Sequence, residues 1–108
     1  MKELHLKLKD ICWKENGYTH TRQIARAIVF DDAKNLYFAQ IERHDPFGEG
    51  KFIETSGGGI ESNEKPEEAI VRELKEELGA NVEIVCKLGV VEDEYNLIQR
   101  KNVNHYFL

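Results

Sequence analysis

Residues 58–80 read GGIESNEKPEEAIVRELKEELGA, and this stretch decides how the chain is organised. Pro66 suits the first position of a helix, where its missing N–H costs nothing. It also pushes Lys65 out of helical space. Glu67 and Glu68 fall in the first turn, where the helix dipole favours anions. Gly79 is a natural stop. The spacing therefore predicts a helix over Pro66–Leu78.

At about 100° per residue the side chains of this helix sort by angle. With Ile70 at zero, Leu74 lies near about +40°, Leu78 near about +80° and Val71 near about +100°, which predicts the core stripe. Glu77, Glu73 and Glu76 follow at about −20°, −60° and −120°. Arg72, Lys75 and Glu68 are expected on the far, solvated side. Three carboxylates thus share one arc beside the core stripe, where like charges three and four residues apart repel. Glu77, next to Ile70, is expected to be partly desolvated, which is costly for an unpaired charge. A divalent cation relieves both penalties, and Mg²⁺ takes oxygen ligands from a few carboxylates.

Before the helix, the glycines at positions 57, 58 and 59 are expected to force an irregular backbone that comes close to a ligand. Further out, Leu4, Leu6 and Leu8 alternate with polar residues, as in a short half-buried strand. Residues 22–30 and 36–42 read as a hairpin around a turn at 31–35. Residues 44–51, with Pro46, Gly48 and Gly50, read as a loop, and 52–55 as a short strand. After the helix, strands are expected at 82–88 and 103–108, with an acidic stretch at 92–94 between them. The order implies an α+β or mixed α/β fold, a mixed sheet with one helix packed on it.

The motif Gly58-x5-Glu64-x7-Arg72-Glu73-Leu74-x-Glu76-Glu77-x-Gly79 resembles the Nudix box. All its fixed positions are present, and only Ala80 departs, where the family has a larger aliphatic residue. Ser56 stands where many members have proline. The resemblance implies a Nudix hydrolase that cleaves a nucleoside diphosphate joined to another group, using Mg²⁺ or Mn²⁺. It implies that Glu76 and Glu77 are metal ligands, and that Glu73 is a third ligand or the base. The Gly57 carbonyl would be an extra ligand. Arg72 would orient the glutamates, and Glu64 and Gly58 would brace the loop. The family fold continues with a further strand and a helix, so the resemblance implies a single domain over residues 1–108 that is cut short at its C-terminus. Some members use a further carboxylate from outside the box, for which Glu92, Asp93 and Glu94 are available downstream.

The remaining chain bounds the function. With 108 residues and 41% hydrophobic content there is one core at most. No apolar run reaches the length of a membrane span, and no signal peptide is evident at the N-terminus, so a cytoplasmic protein is expected. The net charge is −5, which argues against a nucleic-acid duplex as partner. Residues 58–80 hold seven Glu against Lys65, Arg72 and Lys75, so −4 of that −5 is local. A small nucleotide-type diphosphate is the expected partner, and a homodimer stays open. Arg26, Arg43 and Glu92 are candidates for substrate binding, although Arg26 reads equally as a structural ion pair. Tyr95 or Phe47 is a candidate for stacking a base. Cys86 reads as a buried thiol, and Cys12 has no metal-type spacing with it. The rival reading is a non-hydrolytic module of the same fold that binds a nucleotide as sensor; an isomerase of that fold is a third.

Overall fold

The structure, a computed structural model, describes residues 3–10, 17–46, 48–95, 98 and 100–108. Cys12 and Phe47 lie outside them.

Among the described residues, nine strands and one helix follow in the order β1 (Leu4–Lys7), β2 (His20–Ala27), β3 (Val29–Phe30), β4 (Leu36–Tyr37), β5 (Ala39–Asp45), β6 (Gly48–Glu54), β7 (Ser56–Gly59), α1 (Pro66–Leu78), β8 (Lys87–Tyr95) and β9 (Arg100–Phe107). The fold is α+β: one helix lies on a five-stranded mixed sheet of order β1-β8-β9-β2-β7. β1 runs parallel to β8 and β2 parallel to β9, while β2–β7 and β8–β9 are antiparallel. Two hairpins, β3–β4 and β5–β6, stand apart from this sheet.

Helix α1 has the limits read from the sequence. Lys65 is extended (φ −80°, ψ 154°), and Gly79 closes the helix in the left-handed region at φ 65°. The Lys65 N–H donates to the Glu68 carboxylate at 3.2 Å. The helix packs on β7 and β2, and the core joins Ala69, Ile70 and Leu74 to Ala25, Ala27 and Phe107.

Several expectations are corrected. Ala69, rather than Val71 or Leu78, completes the buried stripe; those two are each 38% exposed. The helix is rolled relative to the predicted stripe, towards the arc that carries Glu73 and Glu77. The glycines at 57–59 form a strand, because β2 supplies a ladder partner for each, and Gly57 keeps the positive φ, 146°, that the glycine run leads one to expect. Residues 44–45 and 48–51 pair in the β5–β6 hairpin rather than forming a loop. Residues 82–86 are not a strand, although Val82 and Ile84 still pack against the core. The strand begins at Lys87 and runs through the acidic stretch, because β1 and β9 pair with it there. Leu4, Leu6 and Leu8 are exposed, since β1 is the sheet's outer strand. Cys86 is half-buried.

Ile70 and Leu74 carry the contact between helix and sheet. Leu74→Ala is expected to destabilise the fold by about 2–5 kcal/mol, read from urea unfolding, whereas Leu78→Ala, already half in water, is expected to cost far less.

Candidate functional site

The site begins with Arg72. Its Nε–H donates to Glu64 Oε2 at 2.8 Å and its Nη2–H to Glu64 Oε1 at 3.0 Å, a two-pronged pair. Nη2 also donates to the Gly59 carbonyl at 3.1 Å, and Nη1 to Glu73 Oε1 at 3.0 Å and Glu76 Oε2 at 3.5 Å. Arg72 is therefore not on a solvated face; its side chain is 25% exposed. The wheel placed it opposite the sheet, but the loop from Gly59 to Glu64 folds back along that flank of the helix. Glu64 in turn accepts the Glu61 N–H at 3.0 Å. The guanidinium and this amide hold the Glu64 carboxyl down at about 2, and the same pair raises Arg72 above its ordinary value.

Glycine is required where the helix meets β7. A Cβ at Gly58 would lie 2.7 Å from the Glu73 carboxylate, so Glu73 sits directly over that residue. A Cβ at Gly57 would lie 2.0 Å from the Ala25 carbonyl, and its φ of 146° is one that side chains avoid. The Gly57 amide faces Glu77. Partial burial raises the Glu77 carboxyl; the Gly57 amide opposes the rise, the Glu73 charge adds to it, Arg26 opposes it and Glu54 adds to it. Glu76 is exposed, with 60% of its side chain in solvent.

On the opposite face of β2 lies a cavity of about 590 Å³ that reaches Gly57 and Gly58. Arg26 and Arg43 both line it. Arg26 Nη1 donates to the Thr55 carbonyl at 3.0 Å and lies 3.8 Å from Glu54. Arg43 Nη1 is 3.4 Å from Asp45. Glu92 is elsewhere, 3.8 Å from Lys7 across the β1–β8 pair. Strand alternation sends its neighbour Asp93 into the cavity instead, with Tyr95. Asp93 accepts from Asn102 Nδ2 at 2.6 Å and Asn104 Nδ2 at 2.8 Å.

Sequence reasoning missed Glu54 and Arg100 as cavity residues, and offered Asp93 only as one of three downstream carboxylates. Glu54 stands three residues before Gly57, and the alternation of β8 would have chosen Asp93 over Glu92 had the register been known.

Among the described residues no three Asp, Glu, His or Cys side chains surround one point as they stand, since Glu73 is drawn towards Arg72. The donor chemistry nevertheless fits a hard divalent cation: all the donors are oxygens, and the Glu73 and Glu54 carboxylates crowd Glu77 with Arg26 opposing them.

A model of the NUDIX domain matches residues 20–108. The chain belongs to the Nudix family. It is 36% identical over 74 residues to the 8-oxo-dGTP diphosphatase of Proteus vulgaris, covering 67% of this chain and 62% of that protein. The solution structure of the E. coli ORF135 protein superposes with a TM-score of 0.66 at 26% identity, covering 81% of this chain and 59% of that one. The chain thus spans about three fifths of the length of these Nudix relatives. None of the described helices is long and apolar enough to cross a membrane.

Two outcomes are expected of this site. Gly58→Ala displaces a flexible carboxylate rather than backbone, so the melting temperature should stay nearly unchanged while kcat falls roughly 100-fold from misplacement of Glu73; Gly57→Ala should unfold the domain. Glu64 has a folded pKa of about 2 against 4.5 ordinarily. Its stabilisation is complete above the ordinary value and is lost as pH falls through that window. Thermal melts should show Glu64→Gln less stable than the parent at pH 7, with the difference disappearing towards pH 2.

Proposed function

We propose that this single domain hydrolyses a diphosphate linkage in a nucleoside diphosphate joined to another group, with Mg²⁺ or Mn²⁺. The observation that carries the reading is the arrangement around Arg72, which holds Glu73 over Gly58 while Glu77 meets Gly57 at the mouth of a polar cavity. The name of the Proteus relative supports a nucleoside phosphate as substrate. A soluble cytoplasmic setting agrees with that substrate.

Glu76 and Glu77 would hold the cation, with Glu73 and the Gly57 carbonyl as further oxygen donors. When bound, the cation neutralises charge developing on the phosphoryl oxygens and lowers the pKa of water. The protein's own groups do the rest. Arg72 keeps Glu73 from swinging into solvent. Glu73, or a carboxylate outside the box such as Glu54, takes the proton as water attacks phosphorus. The P–O bond of the anhydride breaks, and the departing phosphate leaves as an anion. Arg26, already anchored by Thr55, lines the path of the phosphate chain, and Arg43 lines the same cavity, whereas Glu92 lies outside it.

The test is a hydrolysis screen over nucleoside di- and triphosphate derivatives. Turnover should require Mg²⁺ and stop with chelator. Glu76→Gln and Glu77→Gln should each lower kcat by roughly 100-fold or more, the scale of losing one group that stabilises developing charge. Activity that survives chelator and both substitutions would overturn the metal reading. Tight nucleotide binding without turnover would assign the chain to the sensor class instead.

A further inference from the structure

Five arginines stand near the box, and three of them have partners for their charge. Arg72 has Glu64 and Glu73, Arg26 has Glu54 and Thr55, and Arg43 has Asp45. Arg22 and Arg100 differ. Both line the cavity, and among the described residues neither forms an ion pair or hydrogen bond. The Arg100 Nε–H is buried without an acceptor. Its guanidinium stacks over the Tyr95 ring at 5.0 Å, which fixes its plane but supplies no acceptor. Asp93 is the nearby carboxylate, yet its two oxygens accept from Asn102 and Asn104. Burial and the adjacent Arg22 charge disfavour the cationic form of Arg100, and Tyr95 and Asp93 favour it less than these oppose it.

Two like charges side by side in a half-covered cavity, one with an unused donor, are costly unless an anion joins them. Guanidinium groups suit oxyanions, which accept two parallel N–H bonds. The location agrees. The Arg22 guanidinium lies 3.2 Å from where a Cβ on Gly59 would stand, and the cavity that holds both arginines reaches Gly57, whose amide faces Glu77. We infer that Arg22 and Arg100 together form an oxyanion site that takes a phosphoryl group of the substrate, at the end of the cavity walled by Tyr95 and Ile98. The inference deepens the proposed function and rests on its phosphorylated substrate. The substrate class becomes one with a phosphoryl group beyond the pair held at the box, either a terminal phosphate or a phosphate on the departing group.

Inorganic pyrophosphate, titrated into the protein in excess chelator, separates this site from the metal reading. Calorimetry should detect binding, and NMR should shift the Nε–H signals of Arg22 and Arg100. Arg22→Gln, on an exposed side chain that the fold does not need, should weaken binding about tenfold, and Arg100→Gln at least as much. Lys51→Gln removes the same charge from the exposed face of β6 and should change affinity less than twofold. Equal affinity in the parent and Arg22→Gln, or an equal loss in Lys51→Gln, overturns the inference. So does the absence of binding by the parent, even if metal-dependent hydrolysis proceeds. Binding by the parent that is lost in Arg22→Gln upholds it even if no hydrolysis is found.

Discussion

The Arg72 guanidinium is the group on which the rest of the site depends. One planar cation joins the loop before the helix, through Glu64 and the Gly59 carbonyl, to the helix itself, through Glu73. Arginine suits this place because its donors form a rigid fork, and a lysine would reach only part of the set. An exposed ion pair is worth little. Here the loop covers both partners: Glu64 is only 14% exposed at its side chain. The pair is thus a structural tie whose consequence is positional, because Glu73 is set where the glycine strand leaves room for it.

The glycines are the complement of that tie. β7 is an edge strand, paired on one side only with β2. An edge strand without side chains lets carboxylates from the helix come up to the backbone on one face, while the cavity with its arginines lies on the other. The helix is rolled so that Ala69, Ile70 and Leu74 bury themselves, which brings the Glu73 and Glu77 arc closer to the sheet than the predicted stripe would. The crowding of Glu73 and Glu54 around Glu77 follows from that roll and from the end of β6, two elements distant in sequence.

What could be read without coordinates was local. Helix limits come from Pro66, Gly79 and the period of apolar residues, and all three act within a turn of themselves. The grouping of Glu73, Glu76 and Glu77 on one arc follows from helix geometry alone, and the box motif names the family through the same short-range spacing. The side on which Arg72 works was not local. A wheel has no knowledge of the loop that folds along the helix, so it assigned this residue to solvent.

Tertiary structure decided everything that needs a partner from elsewhere in the chain. Glycines at 57–59 became a strand because β2 offered hydrogen bonds, with the positive φ that composition argued for kept at Gly57. The acidic stretch became part of β8 because β1 and β9 flank it, and that register turned Asp93 rather than Glu92 into the cavity. Arg22 and Arg100, 78 residues apart, became neighbours because β2 and β9 run parallel, with His20 opposite Arg100. By itself the sequence determined the helix, its arc of carboxylates and the family, since propensity, capping and periodicity are properties of adjacent residues. Strand pairing and loop closure decided which charges meet, since those depend on which distant backbone groups share hydrogen bonds.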